Sequence, residues 1–338
     1  MGIKALIAGC SGLELTQDEK QFFRDELPWG FIVFARNIDN PDQLRNLCSQ
    51  MRECVGRENI PILVDQEGGR VRRLKPPHWH EYHSGQILGD LYRQDKATGL
   101  RAAWLQSRLM AADLIDVGLN VDCLPVLDVP VKGAHDVIGD RAYGYDVETV
   151  VAMGRSASEG LLAGGVLPVI KHIPGHGRAG ADSHKDLPVV DSDLAELEAT
   201  DFAAFVGLND LPMAMTAHVV YSQLDASAPA TTSKKIINDV IRGFIGFDGL
   251  IMSDDLSMHA LSGDFSDRTQ KAFAAGCDCV LHCNGVMEEM SIIAAHCPEL
   301  EGQALVRAQA AEKLLVEPQK CDIAELRAEY EGMFAVGV

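Results

Sequence analysis

The sequence predicts a single (β/α)8 barrel of the TIM type, and three observations predict it. Short apolar runs alternate with longer helical patterns, and eight such runs can be counted along the chain. The 338 residues, 47% hydrophobic and only 23% charged, supply a large buried core, and a barrel of this size is commonly one domain. Long polar segments follow several of the apolar runs, at 65–83, 125–145 and 172–187. They are too long and too polar to be plain connectors, and in a barrel they would form the active-site loops.

The expected strands cover 5–9, 30–34, 61–65, 119–124, 166–171, 212–218, 249–253 and 278–282. Helices are expected at 18–26, 41–54, 98–117, 147–163, 193–207, 234–243 and 267–275, with 303–315 after the last strand. Thr16 and Ser233 suit helix N-caps, and Asn40-Pro41 reads as a cap followed by proline in the first helical position. No linker or domain boundary is visible, so residues 1–338 read as one domain. The tail at 319–338 reads as an added helix closing on the barrel.

A net charge of −19 argues against a nucleic-acid partner, because phosphate binding needs a basic face. A small anionic molecule would need only a local arginine or lysine. No run reaches the roughly 18 apolar residues of a membrane helix. Met1-Gly-Ile-Lys4 leads straight into a strand-like run, so no secretory leader is expected. The nine cysteines are an odd number placed mostly in apolar segments, which predicts reduced thiols in a cytoplasmic protein. Cys277-Asp-Cys279 and His282-Cys283 have the wrong spacing for a zinc site, and no metal is expected there.

The stretch from Lys171 to Gly177 (Lys-His-Ile-Pro-Gly-His-Gly), followed by Asp182-Ser-His184, packs a lysine, three imidazoles and a carboxylate at the end of one strand. Strand C-termini are where α/β enzymes place their chemistry. One of Lys171 and His172 should face the barrel mouth, where it could bind hydroxyls; a histidine satisfied within the core is the other reading. His176 lies in a Pro-Gly-His-Gly turn and reads as structural. Asp182 and His184 are two residues apart and share a side in an extended loop. A carboxylate there would orient the imidazole and raise its pKa, as a general acid near neutral pH requires. An Asx-turn beside a surface histidine would look the same.

Asp254 ends the strand at 249–253, where a carboxylate could serve as nucleophile or base, although Asp254 or Asp255 could equally cap the next helix. Strand alternation should point one of the pair into the mouth and the other away. Asp65, Arg73 and Arg141 stand in polar segments after strands. A carboxylate can hold sugar hydroxyls and arginines can clamp them, but a solvated charged loop has the same composition.

Taken together, the segments from Asp65 to Arg70 (Asp-Gln-Glu-Gly-Gly-Arg), Val137 to Arg141, Lys171 to Gly177, Asp182 to His184 and Ser253 to Met258 resemble family 3 glycoside hydrolases. Within that family the likeness is to the compact bacterial β-N-acetylglucosaminidases of peptidoglycan recycling. The Lys-His-x-Pro-Gly-His-Gly…Asp-Ser-His combination is highly specific; any one of the other segments alone is weak. Ile173 stands where the family more often has phenylalanine, and His259 where an acidic residue is common.

The resemblance implies Asp254 as nucleophile, His184 as general acid/base and Asp182 as its dyad partner. It implies Asp65, Arg73, Arg141, Lys171 and His172 as ligands of an N-acetylglucosamine ring. The implied enzyme is a retaining, cofactor-free exo-β-N-acetylglucosaminidase, acting as a monomer on muropeptides that carry 1,6-anhydro-N-acetylmuramic acid. A β-glucosidase of the same fold is an alternative. So is a metal-dependent barrel amidohydrolase built on His172, His176, His184 and Asp254, or a sugar-binding protein without turnover.

Overall fold

The computed structural model describes residues 2–131, 133, 135–180, 183 and 187–335. Eight parallel strands close into a barrel: β1 (Lys4–Ala8), β2 (Pro28–Val33), β3 (Ile62–Val64), β4 (Val121–Asp122), β5 (Leu167–Ile173), β7 (Met213–Thr216), β9 (Leu250–Asp255) and β10 (Cys279–His282), with β10 pairing back onto β1. Two further strands, β6 (Val189–Val190) and β8 (Val220–Tyr221), pair in parallel outside the barrel, in the segments that follow β5 and β7. The chain is therefore a (β/α)8 barrel, with every one of the eight expected strands present to within a few residues.

Strand residues divide between two cores, largely by parity. Ile7, Leu63, Val121, Val169, Met213, Met215, Leu250, Met252 and Leu281 pack together as one cluster. Leu6, Ala8, Ile62, Val64, Ile170, Ala214, Ile251 and Val280 belong to another, which also holds residues of the surrounding helices. Burial on both strand faces explains why the strands read as continuous apolar runs. At one end of the first cluster, Ala308 and Ala311 of α10 (Gly302–Glu312) pack against it, and Trp29 Nε1 donates to Glu312 at 2.7 Å. At the other end, Ile32, Met215, Leu281 and Cys283 form the floor of a cavity.

The caps follow the sequence. Thr16 makes a full capping box with Glu19 at the start of α1 (Gln17–Glu26). Asn40 caps α2 (Pro41–Val55), with Pro41 in its first turn. Ser233 Oγ accepts from Ile236 N at 3.1 Å where the helix Ile236–Phe244 begins; that helix is π-wound rather than α. The expected 193–207 helix is two, α6 (Leu194–Ala199) and α7 (Asp201–Val206), broken at Thr200, where ψ turns to −81°. The tail forms α11 (Ile323–Phe334), whose Glu329 pairs with Arg101 of α4 (Lys96–Asp116).

Two helices were not expected. The first, α3 (Gly85–Gln94), carries glycines at 85 and 89, which weaken a helical reading. The structure requires them. A Cβ at Gly85 would lie 2.3 Å from the Arg141 carbonyl, and one at Gly89 would lie 1.6 Å from that of Tyr143. The helix is thus the seat for the loop that carries Arg141. The second, α9 (Met287–His296), buries only Met290, Ile293 and Ala294 while leaving Ile292 exposed, so its apolar face is blurred.

Candidate active site

The cavity at the C-terminal end of the barrel encloses about 170 Å³. Asp65, Arg73, Arg141, Lys171, His172 and Asp254 all line it, together with Glu67, His176 and Ser183. Asp182 and His184 lie outside the described residues.

The wall after β3 is built by a tight loop. Gln66 is buried and its Oε1 accepts from the amides of Arg73 and Leu74, at 2.9 and 3.0 Å. That staple turns the chain back, so Arg73 Nη2 meets Asp65 at 2.7 Å. Gly68 (φ +91°) makes the turn, and a Cβ there would lie 2.2 Å from the His83 carbonyl. Glu67 is thereby directed into the cavity. Arg70 fastens this loop to the next one: its guanidinium donates to Asp140 Oδ1 at 2.7 Å and to the carbonyls of Asp136, Val137 and Ile138.

Lys171 ends up between two carboxylates, 2.9 Å from Asp65 Oδ1 and 2.6 Å from Glu67 Oε1. Arg141 holds Glu67 with two hydrogen bonds of 2.8 Å. Burial opposes charge on all of these groups, but their opposite partners outweigh it. Lys171 and Arg73 hold the Asp65 carboxyl well below the usual range, and Arg141 and Lys171 hold Glu67 at about 2. The same carboxylates push Lys171 and Arg141 above their ordinary values. Asp65, Glu67, Lys171 and Arg141 are therefore all ionised, with donors fixed in place for hydroxyl oxygens.

Both Lys171 and His172 line the cavity, where alternation would allow only one. The pairing of β5 with β7 shifts register between Lys171 and Ile173, which breaks the alternation. The peptide bond between Lys171 and His172 is cis. Asp128 is the hub beneath them. Its Oδ2 meets His172 Nδ1 at 2.7 Å, and its Oδ1 accepts from the amides of His172 and His176, at 3.3 and 2.6 Å. A carboxylate on Nδ1 fixes the proton there and leaves Nε2 as the ring atom available to a ligand. Asp128 is fully buried, yet the imidazoles keep its pKa below the ordinary value.

His176 belongs to the cavity wall. Its Nε2 lies 3.2 Å from Ser183 Oγ, and its Nδ1 has no hydrogen-bond partner among the described residues. Burial, with His172 beside it, lowers its pKa to about 4, so the ring is neutral at neutral pH.

The two aspartates at the end of β9 both line the cavity, where strand alternation would place only one, and they are distinguished by what else they touch. Asp254 follows the inward parity of Leu250 and Met252. Asp255 accepts from Ser257 N (3.1 Å), Ser257 Oγ (2.5 Å) and Cys283 N (3.1 Å), so its carboxylate organises the following turn. Its carbonyl receives His218 Nε2 at 3.0 Å, while His218 Nδ1 lies 2.7 Å from Thr231 Oγ1. Nε2 must donate there, so Nδ1 accepts from the threonine hydroxyl.

Sequence reasoning missed Glu67 and Asp128. Glu67 carried a signal, because it stands two residues after Asp65 and so shares its side in an extended segment. Asp128 carried another: a lone carboxylate between Leu127 and Val129 has to find a buried partner.

A charged cavity at the C-terminal mouth of a barrel, with a strand-end aspartate in its wall, is the site of a barrel enzyme acting on a small polar substrate. Residues 6–314 match the family described as the glycosyl hydrolase family 3 N terminal domain. A β-hexosaminidase of Bordetella avium is 38% identical over 278 residues, covering 81% of this chain and 79% of that one. A β-hexosaminidase of Chromobacterium violaceum is 38% identical over 307 residues, covering 88% and 83%. Among solved structures, NagZ from Neisseria gonorrhoeae in complex with N-trifluoroacetyl-D-glucosamine superimposes with a TM-score of 0.88 at 30% identity, covering 98% of both chains. A family 3 β-N-acetylglucosaminidase from Paenibacillus gives 0.86 at 26% identity, covering 97% of this chain and 67% of that one. The chain belongs to glycosyl hydrolase family 3 and is a glycoside hydrolase.

Proposed function

We propose that the protein is a retaining exo-β-N-acetylglucosaminidase that releases the non-reducing terminal β-linked N-acetylglucosamine of muropeptides in peptidoglycan recycling. The observation that carries this reading is the end of β9, where Asp254 and Asp255 both line the cavity and Asp255 alone gives its carboxylate to Ser257 and Cys283 of the following turn. The likeness to a Bordetella β-hexosaminidase and to Neisseria NagZ, solved in complex with N-trifluoroacetyl-D-glucosamine, supports the same reading.

In this mechanism Asp254 attacks the anomeric carbon and forms a glycosyl ester, while His184, protonated and oriented by Asp182, donates to the departing oxygen. His184 then takes a proton from water as the water displaces Asp254. The sugar ring is held by Asp65, Arg73, Arg141, Lys171 and His172. The natural aglycone is 1,6-anhydro-N-acetylmuramic acid with its peptide, and the enzyme acts in the cytoplasm as a monomer. No helix is long and apolar enough to cross a membrane among the described residues.

The β-glucosidase alternative is tested directly. Nitrophenol release from an aryl β-N-acetylglucosaminide should exceed release from the matching β-glucoside by orders of magnitude, and equal rates would overturn the sugar assignment. Incubation with an anhydro-muropeptide should liberate N-acetylglucosamine. Membership in a glycosidase family sets aside the amidohydrolase reading.

A further inference from the structure

We infer that Glu67 is a positioning residue for sugar recognition, acting through Arg141 and Lys171 rather than by touching the sugar. The inference rests on the sugar-binding role proposed for those two cations. Three elements meet at this carboxylate: the loop after β3, the end of β5 and the loop that packs on α3. Its Oε1 accepts from Arg141 Nη2 at 2.8 Å and forms an ion pair with Lys171 Nζ at 2.6 Å, and its Oε2 accepts from Arg141 Nε at 2.8 Å. Three cationic nitrogens thus surround this one carboxylate. The side chain is 3% exposed, against 12% for Arg141. The arginine, not the glutamate, is the more open to the cavity.

The two cations depend on Glu67 to different degrees. Lys171 keeps Asp65 as a second partner. Among the described residues the Arg141 guanidinium makes one other hydrogen bond, from Nη1 to the Val137 carbonyl at 3.2 Å. A planar guanidinium held by a two-bonded fork has a fixed direction, whereas one held by a single long bond does not. Glu67 therefore sets where Arg141 points. The glycine turn at 68–69 and the Arg70 staple to residues 136–138 and Asp140 hold the two loops at the spacing the fork needs.

A double-mutant cycle tests this, using an aryl β-N-acetylglucosaminide for rates and free N-acetylglucosamine for affinity. Arg141→Ala should raise KM about 10- to 100-fold, with kcat falling less, as expected when ground-state and transition-state binding are lost together. Glu67→Gln should show the same split, and adding it to Arg141→Ala should cost no more than about threefold, because its effect travels through the arginine. Glu67→Asp keeps the charge and the fold but shortens the reach, so it should give a milder form of the same pattern. Melting temperatures separate loss of folding from loss of binding. Multiplying effects in the double variant, or a Glu67→Asp protein with wild-type KM, would overturn the inference while Arg141→Ala remained impaired. A wild-type KM in Arg141→Ala would instead overturn the sugar-site reading, and the inference with it.

Discussion

The amide of Asp255 donates to Oδ1 of Asp254 at 2.8 Å, so adjacent residues of one strand are tied together while serving different ends. Asp255 spends its own carboxylate on Ser257 and Cys283. Asp254→Asn should therefore lower kcat by roughly a thousandfold or more while binding N-acetylglucosamine nearly as well. Asp255→Asn should instead lose stability, by about 1 kcal/mol for weakened half-buried hydrogen bonds, with a smaller effect on rate. Steady-state kinetics and urea unfolding of the two variants check the contrast; a reversed ranking in kcat would exchange the two assignments.

Stability should depend on His176 in a defined direction. Its pKa is lowered to about 4 in the fold, against an ordinary value of about 6.5 for an unfolded chain. Between those values the unfolded chain binds the extra proton, so folding stability rises with pH there. The contribution is complete above about pH 6.5 and is lost as pH falls toward 4. Moving from pH 7 to pH 5 should cost on the order of 2 kcal/mol from this residue. In His176→Gln that part of the slope should vanish, as read by urea unfolding at the two pH values. Identical slopes in the two proteins would show that the imidazole does not stay neutral in the fold.

The dyad reading predicts a dependence on the leaving group. His184→Ala should harm substrates with poor leaving groups most, since these need protonation, and activated aryl glycosides least. Azide should partly restore deglycosylation, because it attacks without a base. Asp182→Asn should behave as a milder copy, the ring being present but without its orienting charge. Equal damage across leaving groups, with no azide rescue, would move the acid/base role to His172, His176 or Asp255.

The barrel was legible because strands buried on both faces leave uninterrupted apolar runs, such as Val166 to Ile170. What was illegible has local physical causes. The glycines of α3 weaken its helical signature because the backbone around Arg141 passes against them. At β5, a register shift between Lys171 and Ile173 lets two consecutive side chains face the cavity, which no rule of alternation anticipates. The cavity-lining residues Asp65, Arg73, Arg141, Lys171, His172 and Asp254 were legible as candidates from motif chemistry. Glu67 and Asp128 carried only local signals of spacing and burial, because they act on other side chains, and such pairings appear only once distant segments are folded together.

The central claim is a covalent glycosyl ester on Asp254, and trapping that ester tests it most directly. A 5-fluoro β-N-acetylglucosaminyl donor should inactivate the enzyme with time, and proteolysis with mass spectrometry should place the sugar on Asp254 and leave Asp255 unlabelled. A stable thiazoline mimic of an oxazolinium intermediate should bind poorly, since the substrate's acetamido group takes no nucleophilic part. A label on Asp255, or tight thiazoline inhibition with no covalent adduct, would contradict the account.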